Sequence, residues 1–308
     1  MRHLPGWFLI AFLAMTLGCA KTTVVPKPVA SYLEDGAQAM TQGDEYALHG
    51  CKTMALTSYL KAVEYFTLSD DQRSLATACN NIGTLYLKEE KPQEAIHYLE
   101  EARLLHRLTG SIQGELRAIT NLAATHALKK ELEKAGSLLD EANALAQTHG
   151  ITWTPAQLGR ANLLLKQGEA PKALAIIARI EANAVERPEA LAAAIHYAAG
   201  SALFASKQHK EALGRFQKAL ALDTRQSAFG LMADDMKEIA LCLRELNKPL
   251  EATWYLRRGL KLSALLGENP KRQTFLALLQ EMSDQKSPVT DYLVNRWTKG
   301  DTFAAPCK

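Results

Sequence analysis

The sequence predicts an all-α solenoid of about six antiparallel helix pairs with a capping helix at its C-terminal end. Small residues recur at intervals of 38–40 residues through most of the 308-residue chain. Turn-forming residues fall at equivalent places between these recurrences, and an amphipathic segment follows the last one. Such an interval is typical of repeat proteins, in which each unit buries its apolar face against the next.

Each repeat is anchored on an alanine, with a large residue four positions later and a small residue, in most repeats, seven positions later. Another small residue precedes the anchor by twelve positions. Two helices approach closely only where side chains are small, so these positions predict where the two helices of a pair cross. The anchors are Ala55, Ala95, Ala135, Ala173, Ala212 and Ala252. Further structural positions in the well-matched repeats are Gly83, Tyr86, Ala102, Ala142, Gly200 and Ala219.

Turn-forming residues separate the predicted helices. Pro92, Pro171 and Pro249 suit the first turn of a second helix, where the missing N–H costs little. Glycines that predict the ends of second helices are Gly110, Gly150 and Gly267. The repeat anchored at Ala173 is predicted to start late, with Trp153 before its first helix.

The pattern of small and large positions resembles the tetratricopeptide repeat, although its interval exceeds the usual 34 residues. The resemblance implies a right-handed superhelical array, here assigned to residues 31–268. Residues 269–299 are predicted to form capping helices that cover the apolar end of the array. Residues 300–308 are predicted to be a loose tail.

Residues 1–19 predict a signal peptide: a short positive head is followed by the apolar run Trp7 to Leu17. The segment ending in Gly18 and Cys19 resembles the lipobox of bacterial lipoproteins, in which the cysteine is lipidated and becomes the first mature residue. Ordinary cleavage after Ala20 is the alternative. Residues 20–30 contain two prolines and predict an extended tether. The resemblance implies a membrane anchor through the N-terminal lipid and a place in the bacterial envelope, at the outer membrane facing the periplasm.

The remaining cysteines show neither a C-x-x-C pair nor zinc spacing. Cys79 and Cys242 fall within predicted first helices and are expected to be buried apolar residues. The sequence does not decide whether Cys307 forms a disulfide.

The resemblance also implies a concave groove, lined by the first helix of each pair, that binds protein or peptide partners. Asparagine suits such a groove because its amide both donates and accepts hydrogen bonds. The alternative is that one or two of the asparagines bond between adjacent repeats, and the two aromatic residues are equally compatible with packing. The predicted groove residues are Asn80, Asn81, Thr84, Lys88, Arg117, Thr120, Asn121, Asn162, Lys166, Tyr197, Ser201 and Phe204.

No catalytic, metal-binding or cofactor-binding motif is present in the sequence. The net charge of +3 is small and the basic residues form no stripe, which argues against nucleic acid as a partner. His126 is expected to be packed and hydrogen-bonded, and Asp234 and Asp235 are expected at a helix surface. The sequence and the resemblance thus predict a non-enzymatic scaffold or adaptor lipoprotein that binds protein or peptide partners in envelope assembly or secretion. The alternatives are an enzyme or enzyme regulator with a site across the groove, and a soluble periplasmic binding protein.

Overall fold

The computed structural model describes residues 27–183, 187–282, 288–302 and 305–307. Fourteen α-helices account for the regular structure of these residues, which confirms the all-α prediction. The helices are α1 (Val29–Leu48), α2 (Lys52–Leu68), α3 (Gln72–Lys88), α4 (Pro92–Leu108), α5 (Ile112–Leu128), α6 (Leu132–Thr148), α7 (Thr154–Lys166), α8 (Ala170–Ala182), α9 (Glu189–Ala205), α10 (His209–Arg225), α11 (Phe229–Glu245), α12 (Pro249–Leu265), α13 (Asn269–Glu281) and α14 (Pro288–Thr298). The predicted signal peptide and Cys19 lie outside the described residues.

The first twelve helices form six antiparallel pairs, from α1 with α2 to α11 with α12. All six anchor alanines are completely buried. In α1, α3 and α9 the small residue of the first helix is a glycine, and it contacts the large residue of the partner helix. A Cβ added to Gly83 would lie 2.6 Å from Leu99 Cγ, and one added to Gly200 would lie 2.8 Å from Phe216. The spacing in the sequence therefore encodes the crossing point of each pair.

The turns follow the sequence closely. Pro92 and Pro249 begin α4 and α12, and Pro171 lies in the first turn of α8. Gly110, Gly150 and Gly267 end second helices with φ of 67°, 65° and 71°. These left-handed values are readily adopted by glycine. The fourth pair is shorter than the others, since α7 and α8 have 13 residues each, and α7 begins directly after Trp153 as predicted.

The pairs stack so that the first helices lie on the inner side of a curve. Helix α5 contacts both α3 and α7, and α7 also contacts α9. In the described part of the chain, successive second helices make fewer contacts with one another than successive first helices do. Successive first helices are therefore closer together than successive second helices, which places the first helices on the concave face.

Helices α13 and α14 pack against α12 and close the C-terminal end of the array. Phe275 of α13 is almost fully buried, and its ring fills the space beside Gly259. Asn269 begins α13 close to the predicted start of the cap. This cap covers the apolar surface that the sixth pair would otherwise expose.

The first and sixth pairs touch, so the array closes on itself. The ring of His49 lies 5.5 Å from that of Phe229, and Gly50 packs against the backbone of Gly230. A disulfide joins Cys51, at the start of α2, to Cys307. A loose tail was predicted for residues 300–308, whereas this bond attaches Cys307 to the first helix pair. We call the contact region between the first and sixth pairs the closure.

Replacing Gly83 with alanine is expected to destabilise the array by about 1–3 kcal/mol, because the new Cβ would overpack a core contact. It would lie 2.6 Å from Leu99 Cγ and 3.2 Å from the Ala95 carbonyl oxygen. Gly214→Ala is the matched control, since a Cβ there meets nothing within 4 Å in α10. Urea unfolding followed by circular dichroism measures both variants. A Gly83→Ala protein as stable as Gly214→Ala would contradict the packing account.

Candidate functional site

A hydrogen-bonded network of polar side chains links successive first helices on the concave face. Asn121 of α5 donates to Asn80 Oδ1 and to Thr84 Oγ1 of α3, at 3.1 Å in both cases. Asn81 of α3 donates to Asp44 of α1 at 3.0 Å, and Asp44 also accepts from the Tyr59 hydroxyl. The network ties the first three helix pairs together.

This geometry corrects the position expected for Asn80. Its side chain is only 2 % exposed, because Asn121 and the surrounding helices cover it, so it cannot contact a partner in the groove. The alternative that some asparagines bond between repeats holds for Asn80, Asn81 and Asn121. Asn81, Thr84 and Asn121 nevertheless retain partial exposure.

Four further predicted groove residues, on α5 and α7, divide into two groups. Thr120 accepts a hydrogen bond of 3.0 Å from Trp153 Nε1, so it also joins neighbouring pairs. Arg117, Asn162 and Lys166 are exposed on α5 and α7. None of the three has a side-chain partner among the described residues. They are the predicted residues on these two helices that remain free to contact a partner.

The aromatic residues of α9 are used in packing. Tyr197 and Phe204 are part-buried against the core of the last pairs, and the Tyr197 ring meets that of Phe216 edge-on at 5.4 Å. Ser201 donates to the Tyr197 carbonyl oxygen. These three residues offer little free surface.

A half-open cavity of about 550 Å3 lies at the closure. We call it the closure cavity. It brings predicted groove residues of α3, namely Asn81, Thr84 and Lys88, next to residues from the other end of the chain. Asp234 of α11 and Lys271 of α13 were missed by sequence reasoning. No local motif marks them, because they reach α3 only when the array closes.

Ion pairs connect the two ends of the array at this cavity. Lys52 Nζ lies 3.1 Å from Glu268 Oε1. Lys271 Nζ lies 2.7 Å from Asp234 and 3.2 Å from Glu268, and it donates to the Gly230 carbonyl oxygen. Glu268 is almost buried, so loss of Lys52 or Lys271 would leave the negative charge of its carboxylate poorly compensated.

The expectation of a solvated position for Asp235 was wrong. Asp235 is 1 % exposed and Asp223 is 4 % exposed, both where α10 packs on α11. Burial, together with the charge of Asp223, raises the pKa of Asp235 to about 9, and burial also raises the pKa of Asp223. Neither residue lines the closure cavity. The pair is thus a buried structural feature and not part of the candidate site.

The Asp223–Asp235 pair predicts a pH dependence of stability. In the folded state the raised pKa keeps one proton bound to the Asp223–Asp235 pair. In the unfolded chain the same carboxyl groups release their protons above about pH 4. Stability is therefore expected to fall as the pH rises from 5 to 8, by at most about 1.4 kcal/mol per pH unit. Asp235→Asn should flatten this slope, whereas Glu100→Gln at an exposed position should not. An unchanged slope in Asp235→Asn would refute the assignment.

His126 is buried, and its Nδ1 lies 2.6 Å from Glu131. This arrangement confirms the expectation of a packed, hydrogen-bonded histidine. Cys79 and Cys242 are free and buried, as expected. The described residues contain no group of His, Cys, Asp and Glu side chains suited to a metal ion. Among the same residues, no helix has the length and hydrophobicity needed to cross a membrane.

No protein-family model and no curated protein sequence matches this chain. Among solved structures it is similar to NprR in complex with its cognate peptide NprX, with 14% identity and a TM-score of 0.61 over 88% of this chain and 79% of the other. It is also similar to the APC/C hetero-tetramer Cut9–Hcn1, with 16% identity and a TM-score of 0.53 over 87% of this chain and 48% of the other. At such identities the likeness concerns the fold, which is a helical solenoid of the tetratricopeptide type.

Proposed function

We propose that this protein is a non-enzymatic scaffold of the bacterial envelope that binds a protein or peptide partner along its concave face. The observation that carries the proposal is the set of free polar side chains on the inner helices. Arg117, Asn162 and Lys166 are exposed there without partners in the described chain. The packing of the helix pairs does not require them.

The charges of these residues indicate the chemistry of the partner. Arg117 and Lys166 are both cationic, so an extended segment with acidic side chains would complement this part of the face. NprR, which has a similar fold, is described with a cognate peptide. That description supports the proposal that a solenoid of this fold binds a peptide.

The location in the envelope is supported by the predicted signal peptide and by the Cys51–Cys307 disulfide. Disulfides persist in oxidising compartments such as the periplasm and are rare in the cytosol. A lipid on Cys19 would anchor the scaffold to the outer membrane. A soluble periplasmic form would have the same body and would differ only in how Cys19 is processed.

Selection from a displayed library of random peptides tests the proposal with the mature full-length protein. We expect enrichment of acidic peptides and a roughly tenfold loss of affinity in the Arg117→Ser, Lys166→Ser variant, because about two interface ion pairs are removed. The control is Lys134→Ser, Arg179→Ser, which removes the same charges from exposed positions on α6 and α8. Equal binding by both variants, or no enrichment, would refute the proposal.

A further inference from the structure

Lys88 differs from the other lysines at the closure. It lies in the last turn of α3, and its side chain lines the closure cavity between the two ends of the array. The neighbouring Lys52 and Lys271 both form ion pairs, with Glu268 and with Asp234 or Glu268. Lys88 has no hydrogen-bond or ion-pair partner among the described residues.

The surroundings of Lys88 disfavour an uncompensated positive charge. The Lys88 side chain is accessible to solvent, but it lines the half-open closure cavity. The surrounding protein reduces its hydration and lowers its pKa, and the charges of Lys52 and Lys271 lower it further. Asp234 and Glu268 act in the opposite direction but are already paired with the other two lysines.

The walls of the cavity are largely apolar. Leu48 of α1, Leu85 of α3 and Leu231 of α11 line it together with several alanines. Its volume of about 550 Å3 falls in the range that holds small organic ligands, which is roughly 300–1,000 Å3. Asp44 also lines the cavity, but its carboxylate already accepts two hydrogen bonds from the protein. A largely apolar cavity in which one lysine lacks an ion-pair partner among the described residues is suited to a ligand with an apolar body and one negative charge.

We propose that the closure cavity binds a carboxylate attached to an apolar body, with Lys88 as the pairing cation. The apolar body would lie against the leucines, and the carboxylate would pair with the one lysine of the three that has no ion-pair partner among the described residues. The carboxylate could belong to a free organic acid or to the C-terminus of an apolar peptide. The inference stands apart from the proposed function, because it does not require a partner on the rest of the concave face.

Such a ligand would bridge the two ends of the array. Its site is formed by α1 and α3 from the first two pairs and by α11 and α13 from the last pair and the cap. A ligand that binds only the closed form stabilises that form by mass action. Ligand binding should therefore raise the temperature of unfolding as well as show saturable affinity.

Calorimetric titration and thermal unfolding of the mature protein test the site with octanoate, and with a four-residue apolar peptide ending in a free carboxylate. Octanol and the same peptide with an amidated end are the neutral counterparts. The Lys88→Met variant removes the proposed cation. Lys134→Met is its control, because Lys134 is exposed on the outer helix α6, away from the cavity.

We expect at least one of the two carboxylates to bind the wild type and Lys134→Met equally, and Lys88→Met about tenfold or more weakly. Comparing the affinities of octanoate and the peptide shows whether the cavity prefers a free organic acid or the C-terminus of a peptide. Removing an ammonium group that has no ion-pair partner among the described residues should leave the fold intact, and circular dichroism verifies this. The proposal is overturned if neither carboxylate binds, if the neutral counterparts bind as tightly, or if a folded Lys88→Met protein binds as well as the wild type.

Discussion

Removal of the Cys51–Cys307 disulfide is expected to lower the free energy of unfolding by about 2–5 kcal/mol and to open the closure. The two cysteines are separated by 256 residues, so the bond closes almost the whole described chain into one loop. A cross-link across a loop of this length strongly restricts the unfolded chain, which is the main source of its stabilising effect. The bond also holds the chain end beside the Lys52–Glu268 ion pair at the closure.

The Cys51→Ser, Cys307→Ser variant and the reduced wild type should both show this loss in urea unfolding. Reducing agent should have no further effect on the double variant, because the free cysteines Cys79 and Cys242 are buried and unpaired. Hydrogen exchange should become faster at the starts of α2 and α13, which lie beside the bond. Equal stability of the oxidised and reduced wild type would show that the bond does not hold the closure.

Substitution of Cys19 by serine is expected to abolish acyl labelling and to shift the protein from the membrane fraction to a soluble or unprocessed form. The reason is chemical: the thioether to the lipid requires the cysteine sulfur, and a lipid anchor provides the membrane affinity through its buried CH2 groups. Fractionation of cells with metabolic fatty-acid labelling measures both effects.

Cys79→Ala is the control for this experiment, since Cys79 is buried in α3 and cannot accept a lipid in the folded protein. It should keep its label and its place in the membrane fraction. Unchanged labelling of Cys19→Ser would refute the anchor and favour the soluble periplasmic form with cleavage after Ala20.

The sequence was sufficient to predict the helix pairs, because the residues that determine them are local and periodic. Gly83 and Ala95 mark a helix crossing wherever the chain has this spacing, and Pro92 marks the start of a helix. The short fourth pair could also be predicted, since Trp153 and Pro155 delay the start of α7. These local features can be recognised in the sequence without knowing which distant residues are in contact.

The closure could not be predicted in the same way. Its residues come from opposite ends of the array, and they meet only because small rotations between successive pairs accumulate over six units. Lys88 was placed correctly in α3, but neither Asp234 nor Lys271 carries a sequence signal for its position beside it. The one available signal was the pair of unassigned cysteines, Cys51 and Cys307.

The polar residues of the groove were predicted only in part, because one side chain can serve either packing or binding. Asn80 and Arg117 occupy similar places on the inner helices, yet Asn80 is covered by Asn121 whereas Arg117 is exposed. Periodicity assigns both to the same face. Only the positions of the neighbouring side chains distinguish a residue that joins repeats from one that is free to bind.

Photo-cross-linking in intact cells tests most directly whether the concave face binds a partner. A photoreactive amino acid would replace Asn162, which is exposed on the inner helix α7, or Leu108, which is 73% exposed at the end of the outer helix α4. We expect a discrete protein or peptide adduct from position 162, identified by mass spectrometry, and none from position 108. Adducts of equal yield at both positions, or none at position 162 in a correctly folded and localised protein, would contradict it.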